Sequence, residues 1–282
     1  MKPAPFDYIR ADSAEQACAL LARHGEDARI LAGGQSLMAV LNMRLAQPQL
    51  LIDISRSSEM AAVEIRNGVM QVGAAATQAS LEWRANLARE LPLLALALPH
   101  ISHFQIRNRG TVCGSVAHAD PSAELPLCLL ALKGHVLLRS ARKHRVLAAA
   151  DFFQGMLSTA RAADELLTAV RFPLAQPGQR FGFSEFSRRH GDFAICAVAV
   201  VADAKGLRIA VGGVADRPVA RDFPPLAGSA LDDALNEFAW ALDARDDPHT
   251  SAATRRHLVR RLGRQAVAQA VEKAVEQARA PT

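Results

Sequence analysis

The sequence is short of the features that mark secreted, membrane and metal-carrying proteins. Its 282 residues include 4 cysteines, Cys18, Cys113, Cys128 and Cys196, widely spaced along the chain. No CxxC or similar ligand spacing occurs, so the chain supplies neither an iron–sulfur cluster nor a structural zinc of its own. No run of about 18 apolar residues is present, which leaves no candidate for a membrane-spanning helix. The opening MKPAPFDYIRADS lacks the apolar core of a secretory signal. These absences predict the cytoplasm, where thiols stay reduced. Aromatic residues make up 5%, with a single tyrosine, Tyr8, and basic residues exceed acidic ones by only 33 to 28. A formal charge of +5 with so few aromatics gives no nucleic-acid signature. The one basic cluster, Arg255, Arg256, Arg260, Arg261 and Arg264, reads as a solvated helix face or a subunit contact. The two common phosphate-binding signatures, GxGxxG and GxxxxGK followed by Ser or Thr, are also missing.

Half of the chain is hydrophobic, enough for two domains with cores of their own. SAEQACALLARH, residues 13–24, is a serine-capped amphipathic helix ended by Gly25. ARILAGG is a short buried strand that runs into a glycine loop. Residues 36–45 are helical in composition, and LLIDIS at 50–55 is another strand. VEIRNGVMQVGA is a β-hairpin, because Asn67-Gly68 suits a type I′ turn. Thr77 opens a helical region from Ser80 to about Leu98, interrupted at Pro92. A helix through Leu125–Leu132 follows, then a hairpin from HVLLRS and HRVLAA, and a strand over 164–173. Gln176-Pro177-Gly178-Gln179 is the linker candidate. Beyond it, RFGFSEFSRRHGDFA, AICAVAVVAD and LRIAVGGVAD are strand-like. Helices begin near Leu231 and run from Ser251 to Ala278. Strands followed by helices point to an α+β domain.

Chemistry concentrates in two glycine-rich stretches. One is Ala32-Gly33-Gly34-Gln35-Ser36, directly after a strand. The other lies in IRNRGTVCGSVAHADPSAELPL, where Gly110, Gly114 and Ser115 allow a tight backbone path. Successive N–H groups in such loops can form an anion nest. Asp120-Pro121 has the form of an N-cap and first helical residue. Either stretch alone could be a plain turn; the two together suggest a phosphate-bearing ligand. His118 and Asp120 lack a convergent third ligand and suit capping and loop hydrogen bonding. Glu124 could serve the helix dipole or accept from ribose hydroxyls. Cys113 reads as a small packed side chain, and Arg107 and Arg109 as either phosphate or subunit contacts.

Taken together, AGGQSLMAVLNMRLAQPQLLIDIS, IRNRGTVCGSVAHADPSAELP and FSEFSRRHGDFA resemble the FAD-binding medium subunit of molybdenum hydroxylases, the carbon monoxide dehydrogenase and xanthine dehydrogenase family. The resemblance covers essentially the whole chain. It implies an α+β fold: a two-subdomain FAD-binding domain of the PCMH type over 1–175, each subdomain α/β, then a C-terminal α+β domain over 176–282 with a small antiparallel sheet and helices. It implies that Ala32, Gly33, Gly34, Gln35 and Ser36, with Leu37, and Thr111, Val112, Cys113, Gly114 and Ser115 wrap the diphosphate of a non-covalent FAD. It places Ile101 in the same site, Glu124 near the ribityl and ribose oxygens, and Leu167 by the isoalloxazine. Many relatives have glycine where Cys113 stands. Some cover one flavin face with a tyrosine near 181–193, a part that only Phe183, Phe186 or Phe193 could take here.

The resemblance implies an electron-transfer subunit without a catalytic acid or base. The molybdenum cofactor would sit in a large partner subunit and 2Fe–2S clusters in a small one, in a dimer of heterotrimers. The alternatives are a self-contained FAD-dependent reductase or oxidase of the same fold, and a structural subunit that has lost FAD.

Overall fold

The computed structural model describes residues 1–279, so the last three residues of the expected second domain lie outside the described residues. The chain opens with β1 (Asp7–Arg10), α1 (Ala14–His24), β2 (Ala28–Leu31), α2 (Leu37–Asn42) and β3 (Leu50–Asp53). The three strands form a parallel sheet in the order β1-β3-β2. α1 is capped as expected: Ser13 Oγ accepts from Gln16 N at 3.2 Å, and Gly25 closes the helix at φ +51°. Sequence reading misses β1. All four of its residues are exposed, so no apolar alternation marks it. Its register against β3 and a hydrogen bond from the Tyr8 hydroxyl to Asp53 hold it in place.

The next region contains β4 (Val63–Arg66), β5 (Val69–Gly73), α3 (Gln78–Glu82), α4 (Leu87–Glu90), α5 (Pro92–Ala97), α6 (Phe104–Arg107), α7 (Val112–His118) and α8 (Glu124–Ala131). It continues with β6 (His135–Arg139), β7 (His144–Ala148), α9 (Ala149–Phe152), a small β8 (Phe153–Gly155) and β9 (Ser158–Thr159) ribbon, and β10 (Leu166–Pro173). The main sheet has the order β4-β5-β10-β6-β7 and is antiparallel throughout. Asn67 and Gly68 take φ +52° and +73°, the pair of left-handed residues that a type I′ turn requires.

Three local expectations need correction. The helical region from Ser80 to Leu98 breaks at Trp83–Asn86 as well as at Leu91, giving α3, α4 and α5. Asp120-Pro121 does not start a helix. Asp120 Oδ1 accepts from Ser122 N at 2.9 Å, which makes a local turn, and α8 begins three residues later at Glu124. Thr111–Ser115 is not a free loop either, because Thr111 Oγ1 accepts from Gly114 N at 2.9 Å and caps α7. Neither Gly110 nor Gly114 has a positive φ. Glycine is needed at 114 for closeness, since a Cβ there would lie 2.6 Å from the capping hydroxyl.

The C-terminal part is β11 (Arg180–Phe186), β12 (Cys196–Asp203), β13 (Gly206–Gly212), β14 (Val219–Phe223), α10 (Gly228–Ala241) and α11 (Ala252–Arg279). Its four strands make an antiparallel sheet in sequence order. β14 is absent from the sequence reading, because VARDF is a polar edge strand with no alternation strong enough to show. β12 explains the placement of the whole unit. Side chains alternate across a strand, and both faces of β12 are buried. Cys196, Val198 and Val200 pack with Leu235, Phe238 and Val259 of α10 and α11. Ala197 and Ala199 join Phe181 and Phe183 in the core that continues into α5 and α8. The sheet is thus a wall between two cores.

The basic cluster of α11 is not one solvated face. Arg255 is buried, donates to the carbonyls of Ile195 and Gly213, and pairs with Asp247. Arg256 lies 4.6 Å from the Trp240 ring centre, and Arg260 donates to Asn236 Oδ1 at 2.8 Å.

Gly182 carries the tightest contact between the sheet and α11. A Cβ there would stand 1.9 Å from the Ala266 carbonyl oxygen. Gly182→Ala is expected to cost at least about 2 kcal/mol by overpacking. A urea titration of the apoprotein checks this; an unchanged midpoint would mean that α11 yields easily.

Candidate functional site

The two glycine stretches meet backbone to backbone. A Cβ on Gly33 would lie 2.2 Å from the Arg109 carbonyl oxygen and 2.7 Å from Gly110 Cα. Only a residue without a side chain permits that approach. Gly34 follows at φ +74°, a left-handed conformation that a β-branched residue resists. Helix α2 then starts, with Met38 N donating to Gly34 O at 3.0 Å and Val40 N to Ser36 O at 3.1 Å. Ser36 occupies the cap position without a side-chain capping bond. Among the described residues, the N–H groups of Gly33, Gly34, Gln35, Ser36 and Leu37 donate to no protein acceptor. Five successive free donors in a tight glycine turn can serve as an anion nest. Gln35 Nε2 bonds Gly33 O at 2.9 Å and stiffens the turn.

The second stretch contributes differently. Thr111, Val112 and Cys113 are almost fully buried. Val112 N donates to Ala76 O at 3.1 Å, and Gly114 N to the Thr111 hydroxyl. Ser115 N donates to Thr111 O at 3.1 Å. Within the first turn of α7 this leaves the Cys113 N–H free. The Cys113 thiol lies in the core and donates to Val72 O at 3.4 Å. Burial pushes it far above the ordinary thiol range, in keeping with the small packed side chain that the sequence suggests.

A cleft of about 360 Å³ opens beside the first loop, lined by Leu31, Ala32, Gly33, Gly34, Gln35, Met38, Asp53, Ser55 and Arg109. Burial alone would raise the Asp53 carboxyl. Hydrogen bonds from Tyr8 and Ser55 outweigh it and hold the group below its usual value. Arg109 is exposed and in no ion pair among the described residues, so it is the cation free to approach a phosphate. Arg107 is not: it forms a two-bond pair with Glu82 and also donates to Ile101 O at 2.8 Å. The sequence left these two arginines equivalent; the structure separates them.

Other residues surround the same region. Ile101 is buried on the turn between α5 and α6, its carbonyl fixed by Arg107. Leu167 is buried on β10 beside a bulge, in the sheet beneath α7. The segment 187–193 folds back onto the turn that carries Ile101. Gly191 has φ +86°, and a Cβ there would fall 2.8 Å from the His103 ring. His103 also faces His190 at 5.9 Å. Phe183 is buried with its ring 5.2 Å from that of His100, which removes it from the three phenylalanines open to a flavin face. Phe186 and Phe193 are exposed. Burial, then His190, lowers the His100 pKa.

Glu124, at the start of α8, is buried, and burial holds its carboxyl above the usual range, as it does that of Glu185 on β11, a residue that sequence reasoning passed over. Glu185 Oε2 and Gln78 Oε1 are buried without a protein partner. The signal for Glu185 was available: FGFSEF alternates, and Glu185 shares a face with Phe181 and Phe183. No cluster of His, Cys, Asp and Glu that could hold a metal occurs among the described residues, and no helix among them is long and apolar enough to cross a membrane.

The free N–H nest, the backbone contact at Gly33 and the unpartnered buried oxygens together suit a phosphate- and hydroxyl-rich ligand. Comparison with known proteins names one. Residues 4–175 match the family model described as the FAD binding domain in molybdopterin dehydrogenase. The chain is 41% identical over 281 residues to the nicotine 6-hydroxylase medium subunit of Paenarthrobacter nicotinovorans, covering 95% of this chain and 98% of that one. It superposes on carbon monoxide dehydrogenase from Hydrogenophaga pseudoflava, in a form lacking the Mo-pyranopterin moiety of its cofactor. The TM-score is 0.91 at 28% identity, covering 96% of this chain and 99% of that one. On quinoline 2-oxidoreductase from Pseudomonas putida 86 the TM-score is 0.90 at 32% identity, covering 97% and 99%.

Two substitutions probe the loop contact. Gly33→Ala forces a side chain into the Arg109 carbonyl, and Gly34→Val puts a β-branched residue at positive φ. Each is expected to weaken FAD binding by roughly 2 kcal/mol or more. Isothermal titration of the apoprotein reads the affinity, and wild-type values in both would remove this loop from the site.

Proposed function

The chain belongs to the FAD-binding medium subunits of the molybdenum hydroxylase and dehydrogenase family, and we propose that within it the protein transfers electrons from the iron–sulfur clusters of a partner subunit, through FAD, to an external acceptor. The chain is an oxidoreductase subunit, and its cofactor is FAD. In this reading the substrate is oxidised at a molybdenum cofactor in a large partner subunit. A small partner carries 2Fe–2S clusters, and the assembly is a dimer of heterotrimers in the cytoplasm. Residues 1–175 hold the flavin, and 176–282 close the site and help to dock partners. Bound FAD supplies a carrier that can collect electrons one at a time and release them in pairs.

The chain's own residues bind and orient. The N–H groups of Gly33 to Leu37 take the diphosphate oxygens, with the Cys113 N–H and the Arg109 guanidinium beside them. Glu124 accepts from the sugar-chain hydroxyls. Ile101 and Leu167 give an apolar wall to the ring, and Phe186 or Phe193, both exposed, is the aromatic side chain free to shield its other face. The observation that carries this reading is the row of five free N–H groups at a loop that only glycine can build.

A self-contained flavin reductase or oxidase would need a general acid poised at the flavin and a substrate pocket of its own. The second cleft, about 330 Å³ near Lys133 and Lys205, shares no lining residue with the cleft at the first glycine loop, and its Arg208 is already paired with Asp222.

FAD is expected to be non-covalent, so acid precipitation should release all colour into the supernatant; colour left on the pellet would contradict this. The isolated chain loaded with FAD is expected to be bleached by dithionite under anaerobic conditions, but not by nicotine, quinoline or carbon monoxide. Rapid bleaching by any organic compound in the absence of partner subunits would favour the self-contained enzyme.

A further inference from the structure

A buried carboxylate stands beside the glycine loop, where a site for phosphate alone would have none. Asp53 is the last residue of β3, the middle strand of the parallel sheet, and it pairs in register with Leu31 of β2. Leu31 is two residues before Gly33, and Ile54 N donates to Leu31 O at 3.0 Å, which ties the two strand ends together. The carboxyl ends of parallel strands are where open α/β sheets receive ligands. Asp53 is only 7% exposed, yet it lines the same cleft as Gly33, Gly34 and Arg109.

Two protein donors reach the carboxylate. The Tyr8 hydroxyl donates to Oδ2, and Ser55 N donates to Oδ1 at 2.7 Å. Asp53 is in no ion pair with Lys or Arg among the described residues. A carboxylate has about four acceptor positions, so these two donors leave it unsaturated. Against the effect of burial, their hydrogen bonds hold the group below its usual range. At neutral pH it is therefore charged and can only accept.

A ligand in this cleft meets two opposite demands. The free N–H groups of Gly33 to Leu37 and the Arg109 guanidinium favour an anion, while Asp53 repels one. Phosphate satisfies the first demand, and only a hydroxyl or amino donor satisfies the second. In the proposed reading Glu124, Ile101 and Leu167 take the sugar chain and the ring, and none of them lines this cleft. The adenosine half is the part of FAD left for it, and Leu31 and Met38 offer the base apolar surface there. We infer that Asp53 is a specificity-determining residue of the cofactor site: its carboxylate accepts hydrogen bonds from adenosine, through a ribose hydroxyl or the exocyclic amine, so that the chain selects FAD over FMN. This rests on the reading that the first glycine loop holds the FAD diphosphate.

Asp53→Asn keeps the shape of the side chain and an acceptor for Ser55 N, but removes the charge. Calorimetric titration of the full-length apoprotein with FAD, ADP, FMN and inorganic pyrophosphate reads the consequence. FAD and ADP are expected to bind about tenfold more weakly, the scale of a hydrogen bond to a charged group. FMN and pyrophosphate should bind as tightly as before or more tightly, because a repelling charge is gone. A carboxylate that only anchors β1 and the turn would, when lost, weaken all four alike, and one that only repels anions would tighten all four. Either pattern, or no change, would overturn the role of Asp53.

Wild-type protein supplies a test that needs no variant. Inosine diphosphate lacks the exocyclic amine, and an ADP analogue without ribose hydroxyls lacks the other donors. One of the two should compete with FAD about tenfold less well than ADP does, which identifies the donor. Equal competition by all three, or none by ADP, would overturn the assignment. Gly34→Val separates the two layers. If neither it nor Asp53→Asn alters FAD affinity, the loop reading itself fails; if Gly34→Val weakens FAD and Asp53→Asn does not, only the role given to Asp53 falls.

Discussion

The contact on which the site depends is the approach of Gly33 to the backbone of Arg109 and Gly110. It joins the loop after β2 of the parallel sheet to the chain entering α7 above the antiparallel sheet. Neither loop alone makes a nucleotide site. Pressed together, they place Gly33, Gly34, Gln35 and Arg109 on the same cleft. Neighbouring features protect that contact. Thr111 caps α7 and fixes the position of Gly110, Thr77 forms a bridge to Thr111, and Gln78 N donates to Gly110 O at 2.8 Å. In the proposed reading the backbone dipoles take the diphosphate without lysines, which would account for the absence of the familiar phosphate-loop signature.

The C-terminal sheet is more than an appendage. β12 is apolar on both faces because it separates two cores, one shared with α5 and α8 and one with α10 and α11. β11 of the same sheet leads into the segment that folds against His103, next to Ile101. Packing and cofactor environment are thereby linked through β11.

Much of this was legible from residue patterns. The capped α1, the Asn67-Gly68 hairpin, β10, β12 and β13 follow from alternation, capping and turn chemistry, because there local preference and global fold agree. Four strands escape the sequence reading: the short β8–β9 ribbon and two sheet edges, β1 and β14. β1 exposes every side chain and β14 reads VARDF, so burial leaves no periodic trace in either. α7 was hidden for the opposite reason: Gly114 and Ser115 resemble loop residues, yet they sit in a helix that needs a small residue against its own cap. Asp120-Pro121 has the composition of a helix start but is spent on a local turn. Arg107 and Arg109, two residues apart, could be separated only by finding Glu82 beside one of them. Glu185 escaped notice because a glutamate in a strand ordinarily faces water; the alternation with two buried phenylalanines was the clue.

The claim at the centre is that backbone N–H groups of the first loop hold the FAD diphosphate. Residue-resolved amide hydrogen exchange, on apoprotein and on FAD-loaded protein, addresses it directly. The account requires strong new protection at Gly33 to Leu37 and at Cys113, with little change near Lys133 and Lys205. Unchanged exchange at Gly33 to Leu37 in protein that has bound FAD would contradict it.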